Sequence, residues 1–419
     1  MRKASPLIYL LLLAAPLCAQ EKRLWVLHAP GEMVEYDPQT FAVKQTVKVP
    51  PASLNNPGSI AVNPVGQILF VVPVSLPVAA EDLKSPHQVW FWDGHAASTL
   101  DQGVKRELVK TGSNQAVTES APNPYLSADG THLYWFANQA RRLQREEIDL
   151  STDTTWQAWR TDLSGGARDD LASVKLGDCR CETGTCSETC PYCGVWAPDS
   201  GIEKFFLMTQ FVTGQTETTY DRTSRYQEQA GKWTATALDK PLERELDASP
   251  AGDLIVEAIP DAGCCGWVNE SNDQTLVVGN GKTRVIFDEQ ATYKNPDYDV
   301  SFYTSNARLS PDLASIAVTI VATSEPNQPI QLADQGQANP EESERIRKAL
   351  PELPAVEVKS VEDAPRRLAF VPHATLVGWI SGKELLLVED HLLVVYHVGT
   401  GARKKSGVKV EDAAHVFLR

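Results

Sequence analysis

Seven cysteines hold most of the reactive chemistry of this chain once its first 19 residues are set aside. Five fall close together as Cys179-x-Cys181-x4-Cys186-x3-Cys190-x2-Cys193. Two are adjacent, Cys264-Cys265, between Gly263 and Gly266. In an oxidising compartment such thiols form disulfides, which hold a coreless loop by restricting the unfolded chain. Cys179, Cys181, Cys186, Cys190, Cys193, Cys264 and Cys265 are therefore the expected disulfide cysteines, and their odd number leaves one over. The alternative is a tetrahedral zinc site. Cys190-x2-Cys193 has the spacing of a zinc knuckle, and Cys179-x-Cys181 or Cys186 could complete four thiolates. Neighbouring Cα atoms lie about 3.8 Å apart, closer than disulfides favour, so a Cys264–Cys265 bridge would be strained and easily reduced. With Trp267 beside it, that ring would make a hard apolar platform for a ligand. The plainer alternative pairs one or both with the 179–193 cluster.

Other reactive groups are sparse. The eight histidines are scattered, with no metalloprotease pair. His132 and His397 sit in strand patterns; His28, in a connection, is the histidine placed to meet a ligand. Asn295-Pro296-Asp297-Tyr298-Asp299 offers two carboxylates on a turn without the full calcium-loop pattern. Gly281-Lys282-Thr283 lacks the earlier glycine of a phosphate loop, where Leu276 stands. No Gly-x-Ser-x-Gly nucleophile turn occurs. Asn269-Glu270-Ser271 matches a glycosylation acceptor.

The N-terminus sets the compartment. Arg2 and Lys3 precede an apolar run at 7–15, too short for a membrane anchor, and Ala19 offers a cleavage point before Gln20. Residues 1–19 are thus expected to be a signal peptide, and the mature chain secreted or periplasmic. A lipid anchor on Cys18 is the weaker alternative, since Leu17 is larger than that processing takes. No later run approaches ~18 apolar residues, so no membrane span is expected. The chain carries a net charge of −15. Such a surface repels phosphate backbones and argues against nucleic acid as a partner.

The elements that position these groups form a repeat. An apolar strand, a Ser/Pro/Asp/Gly turn and a second apolar strand recur around Asn63-Pro64-Val65-Gly66, Ser127-Ala128-Asp129-Gly130, Ala197-Pro198-Asp199-Ser200, Ser249-Pro250-Ala251-Gly252, Ser310-Pro311-Asp312 and Ser381-Gly382-Lys383. Continuous apolar runs on both sides of a tight turn suit inner strands buried on two faces. More polar third strands are expected at 88–93, 156–162, 275–279 and 392–398, with a hairpin at Asn280-Gly281. The turns resemble TolB-like propeller repeats, and Leu24-Trp25-Val26 with Val34-Glu35-Tyr36-Asp37-Pro38 looks like the first blade of YVTN-type propellers. The resemblance implies fold only; neither the extra α/β domain of TolB nor the hydrolase domain of propeller peptidases is expected. The fold class is therefore all-β: a seven-bladed β-propeller, six and eight being the neighbouring counts, forming one domain over 20–419. The first blade has three strands of its own, at 23–29, 32–36 and 42–49. The lone segment 414–418 is expected to close the ring as its missing inner strand.

Two insertions, a cysteine-rich loop at 178–194 and a helix-containing loop at 323–367, fall with 260–272 on the rim opposite the inner turns. In the second insertion Asn339, Pro340 and Glu342 start a short sixth-blade helix that Leu350-Pro351 stops. Long loops gathered on one rim build binding sites. The expected function is a non-enzymatic module binding a protein, peptide or glycan through that rim, with His28, Cys264, Cys265 and Trp267 as its residues. No cofactor is expected, zinc being the alternative. The competing class is a propeller enzyme, a lactonase-like hydrolase or quinone-dependent oxidoreductase, using the axial pocket.

Overall fold

A computed structural model describes residues 22–54, 57–71, 88–101, 107–111, 114–120, 123–145, 148–178, 180–181, 188–199, 201–213, 218–259, 273–293, 302–322 and 352–419. Its strands form seven sheets around an axis. The first contains β1 (Leu24–His28), β2 (Glu32–Tyr36) and β3 (Val43–Lys48). The second contains β4 (Ile60–Val62), β5 (Ile68–Val71), β6 (Gln88–Trp92) and β7 (Ala97–Asp101). The third contains β8 (Glu107–Thr111), β9 (Asn114–Ser120), β10 (Asn123–Leu126), β11 (His132–Arg145), β12 (Ile148–Asp162) and β13 (Arg168–Gly177). The fourth contains β14 (Arg180–Cys181), β15 (Glu188–Trp196), β16 (Phe205–Thr213), β17 (Thr218–Gln229) and β18 (Lys232–Ala237). The fifth contains β19 (Arg244–Ala248), β20 (Leu254–Ile259), β21 (Gln274–Gly279) and β22 (Lys282–Asp288), followed by helix α1 (Glu289–Tyr293). The sixth contains β23 (Phe302–Leu309), β24 (Ser315–Ala322), β25 (Ala355–Ser360) and β26 (Arg367–Pro372). The seventh contains β27 (Thr375–Ser381), β28 (Glu384–Glu389), β29 (Leu392–His397) and β30 (Arg403–Lys409).

The last strand, β31 (Val416–Leu418), returns to the first sheet as its inner strand and closes the ring. It runs antiparallel to β1, with Leu24 opposite Leu418, Trp25 opposite Phe417 and Val26 opposite Val416. Trp25 is fully buried, and Phe417 joins it in a core that also holds Leu27, Met33 and Trp92. Closure therefore removes an inner edge and buries two large aromatics in one step.

The inner turns share a local device. The Ser127, Ser249 and Ser310 hydroxyls accept the backbone N–H of His132 (2.9 Å), Leu254 (3.0 Å) and Ser315 (2.9 Å). Each serine thus satisfies a donor that the turn leaves outside the ladder. In the second sheet Asn63 does the same work, accepting from the Gln67 N–H at 2.9 Å. The Asn280-Gly281 hairpin has both residues at positive φ, 53° and 69°, as a two-residue turn between twisted strands requires. Between sheets, alternating side chains of one strand enter two cores. Phe91 packs toward the third sheet, while Trp92 packs toward the first, its ring 5.7 Å from that of Trp25.

Three expectations change. The 178–194 segment is not a plain loop: β15 begins at Glu188, and Cys190 to Trp196 pair with Thr213 to Leu207, because the partner strand β16 is nine residues long. The 323–367 insertion is shorter, because Val356 and Val358 form the buried third strand β25 of the sixth blade, paired with β24. The third blade carries an extra hairpin, β8–β9, alongside the extended end of β11. The expected helix at 339–350 lies outside the described residues, as do residues 1–19.

Candidate functional site

The fourth, fifth, sixth and first blades bring charged residues to the axis on the inner-turn rim. A cavity of about 320 Å³ opens there. Its charged lining includes Lys22, Asp199, Asp247, Arg308 and Arg419. Leu313, Val377, Trp379 and Phe205 supply much of the apolar wall. Each charge is placed by the repeat. Asp247 and Arg308 lie in the inner strands β19 and β23, two residues before the turn serines Ser249 and Ser310; Trp379 stands likewise before Ser381. Asp199 sits in the turn after β15. There Gly201 adopts φ +95°, and an added Cβ would lie 2.6 Å from the Leu126 carbonyl oxygen. Arg419 follows β31, and closure of the ring carries it to the axis: its main chain exchanges hydrogen bonds with Arg23 at 2.6 and 2.8 Å.

Arg308 is held on three sides. It pairs with Asp199, and its Nη1 donates to the carbonyls of Leu246 (2.7 Å) and Ala307 (2.9 Å). Asp247 accepts the Leu309 N–H at 2.6 Å. The Trp379 indole N–H donates to the Arg308 carbonyl at 2.9 Å, which fixes its ring in the wall. Arg419 donates from Nε to the Val62 carbonyl (2.8 Å) and from Nη1 to that of Leu418 (3.0 Å), both neutral acceptors.

Crowding by protein governs the ionisation of this group. Asp199 leaves 49% of its side chain open to the mouth, yet protein surrounds the opening. Desolvation pushes its carboxyl up, but Arg308 and Arg419 more than offset this and hold it below the ordinary range. Asp247 goes the other way. Desolvation, reinforced by Asp199, raises it to about 6 against the pull of Arg308 and the Leu309 N–H. Desolvation lowers Lys22, as does the nearby charge of Arg419, while Asp247 opposes them. Arg419 is lowered by desolvation and by Arg308, against Asp199. These five groups act on one another electrostatically, and the Lys204–Glu203 pair also lines the opening.

Chemically, the mouth offers charge and shape without a poised nucleophile among the described lining residues. The Ser310 hydroxyl is committed to its own turn, donating to Asp312 Oδ1 at 2.5 Å and accepting the Ser315 N–H.

The residues expected from sequence lie elsewhere or outside the described set. His28, expected in a connection, is the last residue of β1, at the rim opposite the inner turns. There its Nε2 is 3.1 Å from the Tyr36 hydroxyl, and burial lowers its pKa against the pull of Glu32. Cys264, Cys265, Trp267, Cys179 and Cys186 fall outside the described residues, as do Asn295 to Asp299 and Asn269 to Ser271. Of Cys181 and Cys190 the structure describes only the strand backbone. Cys193 is a buried free thiol, which corrects its assignment as a disulfide cysteine. Asn138 grips its peptide, donating to the Cys193 carbonyl (2.8 Å) and accepting its N–H (3.0 Å). The thiol thereby packs in a core with Phe206, Tyr226 and Trp156, where burial pushes its pKa up to about 12. Among the described residues no cluster of three or more metal-ligating side chains occurs.

No family model matches this chain, and no curated protein matches it. Solved structures resemble it in fold. The propeller domain of the Trilobed protease from Pyrococcus furiosus is 9% identical with a TM-score of 0.42, over 92% of this chain and 94% of that one. That domain is described as having an open velcro topology, whereas β31 closes this ring. TolB from Acinetobacter baumannii is 12% identical with a TM-score of 0.33, over 95% and 82% of the two chains. A PL25 ulvan lyase is 9% identical with a TM-score of 0.40, over 94% and 92%. The chain is a seven-bladed β-propeller with a fold-level resemblance to TolB-like propellers. Among the described residues no helix is long and apolar enough to cross a membrane.

Proposed function

We propose that this chain is an exported, non-enzymatic binding module whose partner, a protein or peptide, seats a group in the axial mouth on the inner-turn rim. The observation that carries the reading is the mouth itself: a cavity of about 320 Å³ in which Arg308, Asp247 and Trp379 are held by hydrogen bonds to the ring. Groups fixed in advance lose little freedom on binding, so the site is built for recognition. Export rests on the basic start and apolar run of residues 2–15. The loop-rich rim, where the sequence directs attention, is the competing location.

A synthetic peptide library, incubated with the full mature chain and read by mass spectrometry of the retained peptides, tests the proposal. Pro250 and Pro311 are exposed turn residues lining the mouth, so Pro250→Trp/Pro311→Trp fills it without disturbing the core. Retention should fall more than tenfold in that variant. Retention that survives the filling but is lost on deleting 333–353 would place the site on the opposite rim and overturn the proposal.

A further inference from the structure

We infer that Lys22 and Arg419 hold a carboxylate borne on an apolar body, the group through which a ligand enters the axial mouth. This deepens the binding reading above and rests on it. The other three charges of the unit already answer one another. Arg308 is paired with Asp199 and bonded to two carbonyls, and Asp247 faces Arg308 while accepting the Leu309 N–H. Lys22 and Arg419 differ: neither has a carboxylate within ion-pair distance among the described residues, and the side-chain bonds of Arg419 end on neutral carbonyls. Both cations thus line a confined, partly desolvated opening with no carboxylate side chain paired to them among the described residues. An uncompensated charge there is costly, and a monoanion from outside removes the cost.

On a chain of net charge −15, two cations without acidic side-chain partners give an anion a point of attraction at the axis. Donors and wall select the class. A carboxylate carried on an apolar body meets both the paired donors and the wall, whereas inorganic phosphate leaves the wall uncovered. Leu313, Val377 and Trp379 beside the cations offer a surface for an aliphatic group attached to the carboxylate. The C-terminal residue of a peptide, with an apolar side chain, has this chemistry; a free apolar acid shares it.

Calorimetric titration of the full mature chain at pH 7.5 tests the assignment. The probes are N-acetyl-L-leucine, N-acetyl-L-leucinamide, inorganic phosphate, a capped-N-terminus hexapeptide ending in leucine, and octanoate. The acid should bind at least tenfold more tightly than the amide and than phosphate. Lys22→Gln/Arg419→Gln should abolish that preference, and Arg419→Lys should retain most of it; unchanged melting temperatures would show the variants folded. The hexapeptide binding more tightly than octanoate identifies a chain end as the source, and the reverse identifies a free acid. Equal binding of acid and amide, phosphate binding as tightly as the acid, or an unchanged preference in the double glutamine variant would overturn the inference. If acid and amide bind equally and Pro250→Trp/Pro311→Trp eliminates both, the carboxylate assignment falls while the binding role of the mouth stands. Loss of the binding role is read separately, from peptide retention that survives filling the mouth.

Discussion

Asp247 gives the most quantitative handle on the axial unit. Its carboxyl, 3.8 in an unfolded chain, is raised to about 6 in the ring by desolvation and by Asp199, against Arg308 and the Leu309 N–H. Lys22 and Arg419 complete the charged surroundings. Between those two pH values the folded protein holds a proton that the unfolded chain has released. Stability from this group is therefore lost as pH rises from about 4 through about 6. The full displacement is worth about 3 kcal/mol, of which about 2.5 kcal/mol develops between pH 4 and pH 7.5. Asp247→Asn removes the titration but keeps an oxygen to accept the Leu309 N–H, now 2.6 Å away. The variant should thus gain about 2.5 kcal/mol on the wild type between pH 4 and pH 7.5. For roughly 400 residues unfolding together, this amounts to about 3 °C in melting temperature. Paired calorimetric scans of both proteins at the two pH values measure it. A melting difference identical at both pH values would refute the desolvated carboxylate and the crowded mouth with it.

Two further outcomes follow from the ring. Phe417→Ala removes a large buried side chain from the core around Trp25 and should destabilise the protein by about 3–5 kcal/mol in urea titrations; a loss under 1 kcal/mol would contradict closure by β31. Cys193 should not react with a thiol reagent in the native protein at pH 8, because burial keeps it protonated, and should be the one thiol titrated after unreduced denaturation. More than one titrated thiol would mean that the remaining six cysteines are not all in disulfides.

How the sequence encodes this structure differs between ring and site. The blades are legible because four of the inner turns carry their own chemistry, a serine or asparagine that accepts a backbone N–H, between largely apolar strands. Closure is legible because Val416-Phe417-Leu418 is apolar with no neighbour in sequence to pair with. The length of β15 is not, since Cys190-Pro191-Tyr192-Cys193 has no strand pattern of its own and is drawn into the ladder by β16. The axial unit is the larger omission. Lys22, Asp199, Asp247, Arg308 and Arg419 are scattered over nearly the whole chain, and only radial symmetry brings them to one point. A signal was present at the position two residues before the turn serine, where both β19 and β23 carry a charge, Asp247 and Arg308. A charge at a position facing the axis is costly unless it meets another, so two such charges imply a cluster.

A crystal structure of the mature chain grown with N-acetyl-L-leucine tests the central claim most directly. The ligand carboxylate should lie within hydrogen-bonding distance of the Lys22 ammonium and the Arg419 guanidinium, with its side chain against Leu313, Val377 and Trp379. An empty mouth with the ligand bound on the opposite rim, or a ligand whose carboxylate points away from both cations, would contradict it.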